Sequence, residues 1–123
     1  MISAQIAAGL KPIYLKRFIR EHKAPTPQED KVILQRILGA VYNHTGVSID
    51  DMKSPSRKKE LAYARHLTMN LINTRTKILL REIGDMFGGR THATVLHSCD
   101  AAKDLIETDK KFNELHNTIN NSL

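Results

Sequence analysis

Apolar and polar residues alternate along this chain with the period of α-helices. In residues 28–45, apolar side chains recur every three to four positions: Ile33, Leu34, Ile37, Leu38, Val41 and Tyr42. This spacing predicts a helix with one broad buried face. Thr26 precedes Pro27 and lies three residues before Glu29, a combination typical of a capped helix N-terminus. Gly46 is placed to end the helix.

The next segments predict a short turn, a loop and a second long helix. Residues 48–52 resemble a single capped helical turn, and residues 53–57 are expected to form a loop because Pro55 disfavours helix at the preceding residue. Helical spacing resumes over residues 58–72, with Lys58, Lys59 and Arg65 on the wetter sides of that helix. Residues 73–77 contain no apolar side chain and are expected to form a turn.

The following pattern predicts two helices separated by a pair of glycines. Residues 78–87 form the first, and the glycine pair ends it because glycine adopts positive φ without steric cost. The second begins at Arg90 or Thr91, with Thr91 as its N-cap, and extends to Ile106. Thr108 is expected to cap a last helix. The predicted fold is therefore all-α, with a helix-turn-helix over residues 78–106.

Composition and length limit the chain to one small domain preceded by an arm. The 123 residues are 41% hydrophobic with six aromatic side chains and no Trp, so the core should be mainly aliphatic. Residues 13–20 have the pattern of a short basic amphipathic helix, and Pro25 begins a break before the first long helix. We expect residues 1–25 to form an N-terminal arm and residues 26–123 to form the domain.

The positive charge is concentrated around the helix-turn-helix. Residues 53–99 contain nine Lys or Arg and three Asp or Glu, giving +6, which equals the net charge of the whole chain. Such a charge indicates a polyanionic partner but does not by itself choose among DNA, RNA and anionic lipid. The second helix of the motif opens with Arg90, Thr91, His92, Ala93 and Thr94, and polar or small side chains there could reach base edges in a major groove.

An αα-corner that merely turns the chain has the same layout without binding DNA. The local charge, the polar helix start and a basic loop at residues 54–59 favour double-stranded DNA binding over that interpretation. RNA binding is less favoured because the chain has few aromatic side chains for base stacking. A membrane-surface role for residues 13–20 would require a longer helix, and we expect no membrane partner.

The sequence offers no arrangement typical of an enzyme. His92 and His97 are five residues apart, roughly 140° around a helix, so they do not form the i, i+4 pair that binds a metal. The acidic pair at positions 50 and 51 is simpler to explain as a helix start, and Cys99 as a small core residue. No phosphate-binding Gly-x-x-x-x-Gly-Lys-Ser/Thr loop occurs. We expect no catalysis and no cofactor, and a single cysteine fits a cytoplasmic protein.

Residues 80–99, LREIGDMFGGRTHATVLHSC, closely resemble the signature of the C-terminal DNA-binding domain of the bacterial replication initiator DnaA. The resemblance extends from about Thr26 to Ile106. It implies a Trp-repressor-like helical fold that recognises short A/T-rich DnaA boxes, with the second helix of the motif in the major groove and a loop arginine in the adjacent minor groove.

The resemblance also implies which residues contact DNA. Arg90, His92 and Thr94 match major-groove positions, and Arg57 matches the minor-groove arginine. Further positions with family counterparts are the basic Lys58 and Lys59, and Leu80, where the family contacts phosphate through backbone amides.

Three positions of the predicted site depart from the family. Thr91 stands where the family usually has Asp, and Ala93 where it has Thr, which changes the groups available to cytosine N4 and thymine methyl. Arg81 replaces a frequent Pro and adds a phosphate-directed charge. We therefore expect sequence-preferring binding in replication initiation or its regulation, by a stand-alone DnaA-like domain. The alternative is an interaction protein that binds a replication partner, for example through the N-terminal arm, with DNA contact secondary.

Overall fold

The helices form where the apolar periodicity predicts them. The computed structural model describes residues 28–123, and in this part the chain forms six α-helices and no strand: α1 Gln28–Thr45, α2 Ile49–Lys53, α3 Lys59–Arg75, α4 Leu80–Met86, α5 His92–Thr108 and α6 Lys110–Asn121. The predicted all-α fold is confirmed. The N-terminal arm, its short basic helix and the N-cap at Thr26 lie outside the described residues.

Local conformation and capping define the end of α1 and the start of α2. α1 ends at Thr45, and Gly46 follows with φ of 76°. Ser48 then caps α2 through a capping box: its side chain accepts from the Asp51 N–H at 3.2 Å, and the Asp51 carboxylate accepts from the Ser48 N–H at 3.2 Å. Reciprocal bonds of this kind satisfy two backbone donors that a helix start leaves free, so even this five-residue helix has a defined beginning.

α3 is the central helix of the domain. It contacts each of the other five helices, and its buried side chains join those of α1, α4, α5 and α6 in one aliphatic core. Fully buried members include Ile37, Leu67, Met69, Ile83 and Val95. The rings of Tyr63 and Phe112 meet edge to face with centroids 5.7 Å apart. Helix on helix packing around α3 therefore holds the domain together.

The end of α3 differs from the prediction. The turn expected at residues 73–77 begins later, because α3 continues to Arg75. The Arg75 guanidinium donates to the side chain and backbone oxygens of Asn120 in α6, and Thr74 Oγ1 donates back to the Asn70 carbonyl at 2.9 Å. These polar side chains extend the helix through contacts that apolar periodicity does not register. α4 accordingly begins at Leu80 rather than at Ile78.

The last helix boundary also differs. Thr108 is the final residue of α5, and its hydroxyl donates to the Asp104 carbonyl at 2.8 Å. The N-cap of α6 is Asp109, whose carboxylate accepts from the Phe112 N–H at 3.1 Å. The prediction that Thr108 caps α6 is wrong, because α5 takes one more residue and leaves the neighbouring carboxylate in the capping position. Within residues 28–123 no helix is long and apolar enough to cross a membrane.

Candidate nucleic-acid interface

The turn between α4 and α5 brings two helices into direct backbone contact. Gly88 and Gly89 adopt φ of 86° and 77°, and the Arg90 N–H donates to the Gly84 carbonyl at 2.9 Å. A Cβ on Gly84 would lie 2.0 Å from the Arg90 carbonyl oxygen. Glycine at 84 therefore permits the close crossing of the helix-turn-helix, and the glycine pair supplies its left-handed turn.

The first turn of α5 is presented to solvent. Thr91 is the N-cap, as predicted, and its hydroxyl oxygen accepts from the Thr94 N–H at 3.2 Å. The Thr91 and Thr94 hydroxyls also hydrogen-bond to each other at 3.0 Å. Residues 91–94 are all exposed, whereas Val95 begins the buried face. This first turn contains no acidic residue, so the positive end of the helix dipole is uncompensated there.

The basic loop, residues 54–59, presents its three cationic side chains to solvent. Arg57, Lys58 and Lys59 are exposed. The Lys58 N–H donates to the Ser56 hydroxyl at 3.3 Å, and the Lys59 ammonium lies 5.3 Å from the centroid of the Tyr63 ring. Lys59 is the first residue of α3. Among residues 28–123 the ion pair within 4 Å joins Lys53 and Asp50, so no carboxylate of this part of the chain pairs with these three cations. They are available for contact with a phosphate backbone.

The loop is attached to the helix-turn-helix by Arg90. Its guanidinium donates from Nη2 to the Ser54 carbonyl at 3.1 Å, and from Nη1 to the carbonyls of Met52, at 3.2 Å, and of Phe87. The side chain is only partly exposed. The arginine for which the sequence predicts a base contact is thus engaged with the backbone of its own protein, and that predicted contact stays untested.

Arg65 was missed by sequence reasoning. The helical pattern placed it on a wet side of α3, but it is buried, with 8% of its surface exposed. Its Nε donates to the Met52 carbonyl at 2.8 Å and its Nη2 to the Ser54 carbonyl at 2.7 Å. Burial lowers the pKa of the Arg65 guanidinium, and the positive charge of Arg90 lowers it further. Its partners are backbone carbonyls distant in sequence, so the residue pattern carries no signal for them.

The residue after Arg65 is a second basic group with restricted exposure. His66 on α3 is partly buried, and its Nδ1 is buried with no hydrogen-bond partner among residues 28–123. Burial lowers the pKa of His66, with smaller contributions from the charges of His97 and Arg65. A neutral imidazole is therefore favoured at this contact between α3 and α5.

The remaining predicted contacts lie at the start of α4. Leu80 is its first residue, with only 5% of its surface exposed, and Arg81 is exposed beside it. The N-cap Leu79 makes no side-chain hydrogen bond to the helix. The backbone amides that begin α4 are therefore left without a side-chain cap.

The geometry described above agrees with comparisons to known proteins. A family model described as the bacterial DnaA protein helix-turn-helix matches residues 34–101, just over half of the chain. The chain is 38% identical over 97 residues to the chromosomal replication initiator protein DnaA of Picosynechococcus sp., covering 79% of this chain and 21% of that protein.

Two further relatives carry the same description. The DnaA protein of Nostoc sp. is 38% identical over 86 residues, which is 69% of this chain and 19% of that protein. The DnaA protein of Thermodesulfovibrio yellowstonii is 38% identical over 94 residues, which is 76% of this chain and 22% of that protein. The chain spans about a fifth of the length of these curated relatives. The match of the family model to the described helix-turn-helix shows that the chain belongs to the family of the bacterial DnaA C-terminal helix-turn-helix domain.

Proposed function

We propose that this chain binds double-stranded DNA with the first turn of α5 in the major groove and the basic loop against the neighbouring groove. The observation that carries the proposal is the pairing of two exposed elements. Residues 91–94 stand at the start of a helix whose opposite face is packed in the core, and the basic loop is hydrogen-bonded to the turn that precedes this helix. An α-helix about 10–12 Å across matches a major groove about 12 Å wide.

Each element brings groups suited to its groove. In the major groove, the His92 imidazole and the Thr94 hydroxyl can hydrogen-bond to base edges, and the Ala93 methyl can contact a thymine methyl. In the adjacent minor groove, the Arg57 guanidinium suits the strong negative potential of a narrow A/T-rich tract. We therefore infer a preference for sites related to DnaA boxes, with the readout altered where Thr91 and Ala93 replace the usual residues.

Phosphate contacts would set the orientation of the domain. Lys58, Lys59 and Arg81 are exposed and cationic, and the uncapped amides around Leu80 can donate to a phosphate oxygen. None of these contacts distinguishes bases, so they supply the salt-dependent part of the affinity. No catalytic step belongs to this proposal.

We infer that the proposed DNA binding serves chromosome replication, and the names of the relatives support this inference. Each is described as a chromosomal replication initiator protein, and this chain would act in initiation or its regulation, in the cytoplasm. A protein partner is the second candidate, because two large apolar side chains of α1 are solvent-exposed: Val32 at 46% and Tyr42 at 55%. A replication protein would then cover α1, whereas the proposed DNA contacts belong to the first turn of α5 and the basic loop.

Fluorescence anisotropy with labelled duplexes tests the proposal. A duplex containing a DnaA box is compared with a scrambled duplex of the same composition, at two fixed salt concentrations, with unlabelled competitor DNA. We expect tighter binding to the box and a loss of affinity for both duplexes as salt increases. Equal binding to the two duplexes would remove the sequence preference, and no binding to either would refute the proposal.

A matched pair of variants separates reading from positioning. His92→Ala should reduce the affinity for the box by about 1–3 kcal/mol and narrow its advantage over the scrambled duplex. Lys59→Ala should lower the affinity for both duplexes equally. It should also reduce the slope of log affinity against log salt concentration by about 1. Identical behaviour of the two variants across sequences would contradict the assignment of α5 to the major groove.

A further inference from the structure

Two arginines from different elements converge on the same two backbone carbonyls. The Met52 oxygen accepts from Arg65 Nε at 2.8 Å and from Arg90 Nη1 at 3.2 Å. The Ser54 oxygen accepts from Arg65 Nη2 at 2.7 Å and from Arg90 Nη2 at 3.1 Å. These carbonyls lie at the end of α2 and the beginning of the basic loop, so both guanidinium groups bind the root of the loop.

The convergence connects three parts of the domain. Arg65 belongs to the central helix α3, and Arg90 belongs to the turn of the helix-turn-helix, where its Nη1 also donates to the Phe87 carbonyl. The same turn touches the loop root directly: a Cβ on Gly88 would lie 2.7 Å from the Lys53 carbonyl oxygen. The start of the basic loop is therefore held by α3 on one side and by the turn before α5 on the other.

The two guanidinium groups are held close together without a carboxylate of the described residues to neutralise them. Among residues 28–123 the one ion pair within 4 Å joins Lys53 and Asp50. No carboxylate in this part of the chain therefore neutralises Arg65 or Arg90. Two like charges are thus held side by side by carbonyl dipoles alone, one of them in a buried site. A lysine could not replace either group fully, because only the guanidinium fork donates to two acceptors at fixed spacing.

The engagement of Arg90 also limits what it can offer to a base. Both N–H groups of Nη1 and one of Nη2 are committed to carbonyls, which leaves two of the five donors of a guanidinium group. The edge formed by Nη1 and Nη2 is thereby occupied, so a bidentate contact with guanine could use only the edge formed by Nε and the second Nη2 N–H.

We propose that Arg90 is a positioning residue rather than a base reader: together with Arg65 it clamps the root of the basic loop and so fixes where Arg57 meets DNA relative to the first turn of α5. The inference rests on the proposed function and adds a mechanism to it. A loop held in advance loses less conformational freedom on binding, so the clamp acts on affinity through Arg57 and not through a contact of its own.

Backbone dynamics of the free protein test the clamp without DNA. We expect Arg90→Lys to lower the amide order parameters of Ser56, Arg57 and Lys58 from about 0.85 toward about 0.6, while thermal melting followed by circular dichroism shows a folded domain. Arg81→Ala is the control, because it also changes a cationic side chain of the proposed DNA site but lies outside the clamp; its loop order parameters should equal those of wild type. Unchanged order parameters in Arg90→Lys would overturn the proposal.

A double-mutant cycle then tests the path to DNA. Arg90→Lys and Arg57→Ala should each reduce the affinity for the DnaA-box duplex by about tenfold. The double variant should also lose about tenfold in affinity, because Arg90 acts through Arg57. A loss of about a hundredfold in the double variant would show that Arg90 contacts DNA independently and would overturn the inference. If wild type binds no duplex, the proposed function fails, and the order parameters still decide whether the clamp holds the loop.

Discussion

Gly84 and Gly39 should respond in opposite directions to the same substitution. Both are glycines within helices, Gly84 in α4 and Gly39 in α1. A Cβ on Gly84 would lie 2.0 Å from the Arg90 carbonyl oxygen and 3.0 Å from the carbonyl carbon, whereas a Cβ on Gly39 would meet nothing within 4 Å. Alanine at 84 must therefore push the backbone of the turn away from α4, and alanine at 39 enters open space.

The expected magnitudes follow from these contacts. Overpacking of this kind costs about 1–3 kcal/mol, and displacement of the turn weakens the 2.9 Å bond from the Arg90 N–H to the Gly84 carbonyl, worth about 1 kcal/mol. Against this, alanine gains about 1 kcal/mol of helix propensity over glycine. Gly84→Ala should thus lower the free energy of unfolding by about 1–3 kcal/mol, and Gly39→Ala should raise it by about 0.5–1 kcal/mol.

Urea denaturation followed by circular dichroism measures both variants against wild type. The denaturation midpoint should move to lower urea for Gly84→Ala and to higher urea for Gly39→Ala, with similar slopes. Gly84→Ala should also lose affinity for duplex DNA, since the displaced turn carries Arg90 and the start of α5, while Gly39→Ala should bind as wild type. If Gly84→Ala is as stable as Gly39→Ala, the close crossing of α4 and α5 is not a requirement of this fold.

Three further predictions concern the N-cap of α5, the pH dependence of stability and the N-cap of α6. Thr91→Asp should lower the affinity for scrambled duplexes more than for a DnaA box, because a carboxylate repels phosphates but accepts from cytosine N4; parallel losses in anisotropy would contradict this. Stability should fall as the pH drops from about 7 to 5, because the lowered pKa of folded His66 lets the unfolded state bind more protons. His66→Gln should flatten the pH dependence of the free energy of unfolding measured by urea titration. An unchanged dependence would show that other groups cause it. Asp109→Ala should lower the free energy of unfolding by about 1 kcal/mol through loss of the N-cap, whereas Thr108→Ala should cost less; the reverse order would restore Thr108 as the cap.

Local rules predicted most of the helices and their caps. The apolar stripe of α1, the N-caps at Ser48 and Thr91 and the glycine pair after α4 all depend on residues within a few positions of one another. Hydrophobic periodicity and capping chemistry act over the same short range, so a single sequence is enough to locate them. The positions of the exposed reading turn and of the basic loop followed from the same patterns and from the family resemblance.

The errors occur where a distant contact decides the structure. α3 continues through polar residues to Arg75, which is hydrogen-bonded to Asn120 in α6. Arg65 was expected on a wet surface, yet it is buried because carbonyls from the loop accept its guanidinium. Neither partner is visible in the spacing of apolar residues, because side chain to backbone hydrogen bonds leave no periodic signal.

By itself, the sequence determined an all-α chain with a helix-turn-helix, a basic loop and an exposed polar start to α5, because periodicity, capping and charge are properties of neighbouring residues. Only the tertiary structure decided that the loop root lies against the turn of the motif, with Arg65 and Arg90 on the same carbonyls. The physical reason is that every residue has a backbone carbonyl, so the sequence does not show which carbonyl will accept a given arginine. Which donor reaches a carbonyl depends on which helices pack together in the folded core.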